Sequence, residues 1–387
     1  MIYLDNSATT ALCDAAKSKI SECLEVYGNP SSRHAVGLAS KKLVDEARAD
    51  VACSLGLKRA DAQRIIFTSC GTEANNLALL GCAYAKDKRR ANKIITTDSE
   101  HPSIENVMQK LERDGFEVIR ISTRGGVFDL EELERQMDSS VLLVSVMAVN
   151  NETGACYDVQ KIFSVAKRKN PDVITHCDAI QGYLKENINP QKMGADLLSV
   201  SAHKIHGPKG VGALYVSPEM VKTKKIVPYI IGGGQESGFR SGTENLLGIV
   251  GFGAAARVGY ESFSQNREKL LRLRLLCEES VTLAGATVNM PCGDRAPHIV
   301  SVRLPKIKSE TMLNFLSAKG ICVSAGSACS SHSSNRISSS LVGFGLTNDE
   351  ADSTIRVSLG AYNTEEDIKT FGEILKEGID MLIRFKR

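Results

Sequence analysis

Tryptophan is missing from the 387 residues, and aromatic side chains make up only 5% of them. No surplus of basic charge compensates, because 48 Lys and Arg face 45 Asp and Glu, a net charge of +3. A nucleic-acid binder needs stacking surfaces or a concentrated basic face, so nucleic acid is excluded as the main ligand. Long apolar runs are missing too. The longest, at 141–149, is interrupted by Ser145 and is too short to span a bilayer. The first residues, Met1-Ile2-Tyr3-Leu4-Asp5-Asn6-Ser7, show neither a basic nor an apolar leader region. The expectation is a cytoplasmic protein without membrane contact. The 11 cysteines include no C-x-x-C pair, and a chain this long needs no disulfide staples. Most are expected to be small buried hydrophobes in a reducing compartment, with room for one or more reactive thiols.

What is present is ordinary globular material, 42% hydrophobic and 24% charged. The length exceeds what one core usually serves, so a large and a smaller domain are expected. Short β-branched runs recur at 64–68, 93–97, 116–121, 141–149, 173–177, 196–201 and 211–216, mostly separated by segments with helical spacing. Ile104, Val107, Met108 and Leu111, for example, fall at i, i+3, i+4 and i+7. This alternation predicts an α/β protein with a mostly parallel sheet and helices on both faces, over 13–257. A helical stretch from Thr243 toward Leu276 is expected to kink in its glycine-rich middle. Beyond it, shorter strands at 299–304 and 355–359 mix with helices, so 258–387 together with 1–12 are assigned to a smaller α+β domain. Eight of the fourteen residues at 327–340 are serine. Such a segment buries too little to offset its ordering entropy and is expected to form a mobile loop over about 324–341.

Ligands of doubly wound sheets collect beyond the carboxyl ends of the strands. After 64–68 comes the small-residue helix opening Ser69-Cys70-Gly71-Thr72-Glu73, suited to a phosphate. His101 follows 93–97, Asn150-Asn151-Glu152 follow 141–149, Asp178 and Gln181 follow 173–177, and His203-Lys204 follow 196–201. An amine, a carboxylate and a phosphate cradle at one sheet edge are the parts used by pyridoxal 5'-phosphate chemistry. Lys204 is the candidate to join the cofactor aldehyde, Asp178 to pair with the pyridine nitrogen, and His101 to stack on the ring and shuttle protons. Two other patterns are set aside. Gly251-Phe252-Gly253 lies inside a helical stretch rather than after a strand. His203-x-x-His206 has no further ligands to complete a metal site.

Several segments together carry a resemblance: 3–10, Gly28-Asn29-Pro30-Ser31-Ser32, 67–76, 149–154, Ser201-Ala202-His203-Lys204, 232–236, 240–245 and Gly326-Ser327-Ala328-Cys329. In this combination and order the chain resembles the cysteine desulfurases of the class V aminotransferase family. The resemblance implies the fold type I architecture of pyridoxal-phosphate transferases, with a seven-stranded large-domain sheet, and a homodimer. It also implies removal of sulfur from L-cysteine to give L-alanine, with Cys329 as the persulfide-forming nucleophile. By the same resemblance Gly71, Thr72, Ser201 and His203 hold the cofactor phosphate, and Thr243 reaches it from the neighbouring subunit. Gln181 touches the ring hydroxyl, while Asn151 and Arg356 take the substrate carboxylate. A sulfur-acceptor protein is the implied partner, for iron-sulfur cluster assembly or tRNA thiolation. The competing readings are a selenocysteine lyase or related aminotransferase, and a non-catalytic sulfur-carrier or scaffold homologue.

Overall fold

The structure is a computed structural model that describes residues 1–85, 91–325 and 337–384. Its largest sheet has seven strands, in the spatial order Ile65–Thr68, Gly212–Val216, Leu197–Ser201, Ile174–Asp178, Val141–Met147, Lys93–Thr97 and Glu117–Ile121. Only Gly212–Val216 runs against the rest, so six strands end at one edge. The central strands are apolar on both faces because helices cover both. Val141–Met147 is buried at every position. On one side the helices Gly71–Ala85 and Pro102–Arg113 supply Leu77, Ala78, Ile104, Val107, Met108 and Leu111 to a core with Ile66, Ile94, Leu143 and Leu214. On the other, Ala35–Ser54, Val159–Lys169 and Leu246–Glu261 pack against Phe67, Ile95, Val144 and Val200. All seven strand runs expected from the sequence are present, with ends moved by at most two residues.

A second apolar cluster joins Leu4 to Leu270, Leu273, Val300, Val302, Leu316, Ile355, Val357, Phe371 and Leu375. Its antiparallel sheet orders Ser324–Ala325, Thr354–Ser358, Ile299–Arg303 and Thr287–Val288. Ile2–Tyr3 pairs in parallel with Ile321–Cys322 and so ties the start of the chain to its last third. No helix among the described residues is long and apolar enough to cross a membrane.

Two expectations are corrected. The glycine-rich middle of the long helical stretch does not kink: Leu246–Glu261 is continuous, and the break comes at Ser262, before Phe263–Leu283. The glycines serve close packing instead. A Cβ on Gly253 would stand 2.6 Å from Ala47 Cα, and one on Gly251 would stand 2.7 Å from the end of Ile20. The expected serine-rich loop over about 324–341 is also corrected at both ends. Its first residues form the strand Ser324–Ala325, and Ser338 caps the helix Ser339–Phe344 by accepting from Leu341 N–H at 3.2 Å. Serine is a good N-cap, which composition alone does not reveal. The remainder, 326–336 with Cys329, lies outside the described residues.

Candidate active site

Five of the six parallel strand ends open on a cavity of about 310 Å³, in the range of small-molecule sites. It gathers Gly71, Thr72, His101, Asn151, Asp178, Gln181, Ser201, His203, Lys204 and Arg356 from segments far apart in the chain. Thr243 is not among its walls. It lines a separate cleft with Ser69, Gly210, Arg240 and Asn245.

Gly71 opens the helix Gly71–Ala85, whose first N–H groups have no partners within the helix. A Cβ on Gly71 would come 2.3 Å from Ile180 Cδ1, so a side chain there would jam the helix start against the turn after Asp178. Ser201 ends its strand with a buried hydroxyl that has no partner among the described residues. His203 follows in a short turn, its Nδ1 3.2 Å from Thr9 Oγ1. Burial, with the cations Lys204, Lys209 and Lys185 nearby, pulls this imidazole down to about 4.

Lys204 Nζ donates to the carbonyls of Ser7 and, at 2.8 Å, Ala8. Asp178 is buried and accepts from Ile180 N–H at 3.0 Å and Asn75 Nδ2 at 2.8 Å. Burial pushes the Asp178 carboxyl up, while those two hydrogen bonds and the Lys204 charge oppose the shift. Gln181 gives Nε2 to the Ser7 carbonyl at 2.9 Å, leaving its buried Oε1 unpartnered. Arg356 donates to the Asn151 carbonyl and to Asp5 Oδ1, both at 2.9 Å, and its buried Nε has no partner among the described residues.

His101 caps the helix Pro102–Arg113 through its ring. Burial and the Lys204 and Arg356 cations lower its pKa to about 4, and burial alone takes the core residue His176 to about 3. Both histidines bind protons more readily unfolded than folded, so their contribution to stability is complete above about 6.5 and is lost as the pH falls toward 4. Thermal unfolding midpoints should therefore drop between pH 6.5 and 4. A midpoint flat across that window would contradict these neutral, buried rings.

Several residues at the site were not singled out from the sequence. Asp5, Ser7 and Ala8 line the cavity because the N-terminal segment crosses the sheet edge. Lys185 is buried and donates to the Lys204 carbonyl at 2.8 Å, and burial with the Lys204 charge lowers its ammonium to about 7. Glu100 accepts from Met147 N–H and Thr97 Oγ1, both at 2.9 Å, and burial pushes it up to about 8. The one available signal was a polar residue inside an apolar pattern, as with Asn75 between Ala74 and Leu77.

Residues 2–371 match the family model for aminotransferase class-V. The chain belongs to the class-V aminotransferases. A cysteine desulfurase from Trichormus azollae is 39% identical to it over 386 residues, covering 99% of this chain and 94% of that one. The solved structure of a NifS-like protein superposes on this class-V aminotransferase with a TM-score of 0.91 at 36% identity, covering 98% and 99% of the two chains. A structure described as SspA in complex with cysteine gives 0.80 at 30% identity, covering 94% and 100%.

Proposed function

We propose that this class-V aminotransferase is a pyridoxal-phosphate-dependent cysteine desulfurase. In the net reaction the Cys329 thiol and L-cysteine give a Cys329 persulfide and L-alanine. The observation that carries this reading is one cavity holding an amine, a buried carboxylate, a neutral imidazole and an unpartnered hydroxyl beside a free helix start. The relatives named as cysteine desulfurases and the cysteine bound to SspA support the substrate.

When bound, pyridoxal phosphate supplies an aldehyde for the substrate amine and a ring that draws electrons from the substrate. The residues fit that group. Gly71, Thr72, Ser201 and His203 would hold its phosphate, Asp178 its pyridine nitrogen and Gln181 the region of its hydroxyl, with Lys204 the amine at its aldehyde. Asn151 and the partly unpartnered Arg356 would receive the substrate carboxylate. His101, neutral near pH 7, is the proton-handling group against the ring. Thr243 belongs to another cleft of its own chain, so its place at the phosphate requires a second copy and makes the working form a homodimer. The persulfide sulfur then passes to an acceptor protein, in iron-sulfur cluster assembly or tRNA thiolation, in the cytoplasm. The chain would work as a cofactor-binding unit over 13–257 and a smaller unit of 1–12 with 258–387.

Asp178→Ala should lower kcat by about 10²-fold with KM changed much less, because the carboxylate acts on the ring and not on substrate binding. Unchanged turnover with cofactor bound would remove Asp178 from the site. The reading as a whole is tested by giving purified protein L-cysteine without any keto acid. Release of alanine and reducible sulfur supports it, and turnover that needs a keto acid would favour an aminotransferase.

A further inference from the structure

Along the cavity wall and just behind it, the side chains of Asp178, Asn75, Ser103 and His101 form a hydrogen-bonded chain with one consistent arrangement of protons. Asn75 is fully buried on the helix Gly71–Ala85, one turn beyond Gly71. Its Nδ2 donates to Asp178 Oδ2 at 2.8 Å and to Ser103 Oγ at 2.9 Å, while its Oδ1 has no partner. Ser103 Oγ lies 2.8 Å from His101 Nδ1, and the Ser103 backbone N–H donates to that same nitrogen at 3.1 Å.

The proton positions follow from the charged end. An ionised Asp178 only accepts, so Asn75 must turn its NH₂ toward it. The same NH₂ occupies a lone pair of Ser103 Oγ, and the Ser103 hydroxyl proton then points to His101 Nδ1. With two donors converging there, Nδ1 carries no hydrogen, and the neutral ring keeps its single proton on Nε2. In the other tautomer Nδ1–H would face the Ser103 backbone N–H, and Ser103 Oγ, accepting from Nδ1–H, could pass its own proton to Asn75 only if the amide turned. The amide would need its oxygen on that side, and its NH₂ would no longer hold Asp178. That rearrangement is disfavoured as long as Asp178 is a carboxylate.

We propose that Asn75 and Ser103 are positioning residues that lock His101 as the Nε2–H tautomer and make that lock depend on an ionised Asp178. Since Nδ1 is taken up by Ser103, Nε2 is the nitrogen left for a ligand, and His101 offers the cavity a proton rather than a lone pair. The low pKa of the ring keeps it neutral near pH 7, where tautomers can be distinguished. The kinetic consequence rests on the desulfurase reading; the tautomer does not.

Nitrogen-15 histidine NMR on the full chain, with and without added pyridoxal phosphate, separates the two. The His101 signals are assigned by their loss in His101→Gln. Wild type should show a protonated Nε2 and an acceptor-type Nδ1, Ser103→Ala and Asn75→Leu a raised share of the Nδ1–H tautomer because only the backbone N–H of residue 103 then fixes Nδ1 as an acceptor, and Ser103→Thr the wild-type pattern. With L-cysteine, Ser103→Ala should lose roughly ten-fold in kcat with little change in KM, restored in Ser103→Thr. A wild-type ring protonated on Nδ1, or both variants keeping a single Nε2–H tautomer, would overturn the proposal. A protein that turns over no cysteine would overturn the desulfurase reading and leave the NMR result to decide the tautomer.

Discussion

Lys204→Ala should release alanine from L-cysteine at least about 10³-fold more slowly than wild type, the scale expected when a covalent catalyst is removed. Borohydride should trap no cofactor on the variant, whereas it should fix cofactor to Lys204 in wild type. The fold should survive. Lys204 stands in a short turn just beyond the strand Leu197–Ser201, and its amine donates to the carbonyls of Ser7 and Ala8. Losing those bonds costs about 1–3 kcal/mol, a local loosening of the N-terminal segment rather than loss of a core. A trapped cofactor adduct in Lys204→Ala would place the reactive amine elsewhere.

Cys329→Ser should also be severe, and should act at a different place in the reaction. The residue lies outside the described residues; the described residue Ser324 before it lines the cavity, and Ser340 after it bonds Asn150 beside the cavity residue Asn151. Ser324 pairs in register with Arg356, and Ser340 Oγ accepts from Asn150 Nδ2 at 2.8 Å. Serine is a poor sulfur acceptor, so cysteine should still bind and perturb the cofactor absorbance while alanine release falls by roughly 10²-fold or more. Of the other cysteines, Cys70 also lines the cavity, at the helix start, and the rest are not among its walls. Cys177 and Cys277, for example, are fully buried, and burial raises both thiols far out of the reactive range. Wild-type turnover in Cys329→Ser would return the segment to a mere connection and favour a lyase or an aminotransferase.

The strand ends were legible because each apolar run stops where a polar or small residue takes over. Thr68 before Ser69-Cys70-Gly71, Cys177 before Asp178 and Ser201 before His203-Lys204 all mark the same sheet edge in the sequence and in space. What could not be read was anything set by one segment crossing another. The carbonyls of Ser7 and Ala8 hold Lys204 only because the chain start returns over the sheet edge. Asn75 reads as a polar residue in an apolar helix until Asp178 and Ser103 are placed beside it. Gly251 and Gly253 look like helix breakers until Ile20 and Ala47 approach them. The serines at 338–340 were misjudged because composition counts them, whereas capping depends on which one precedes the helix.

The most direct measurement is mass analysis of the full chain, loaded with pyridoxal phosphate, after a single turnover of L-cysteine without an acceptor. The peptide containing Cys329 should gain one sulfur atom, reversible by a thiol reductant, with one L-alanine released for each sulfur gained. Alanine without sulfur on Cys329, or sulfur on a different cysteine, would contradict the account.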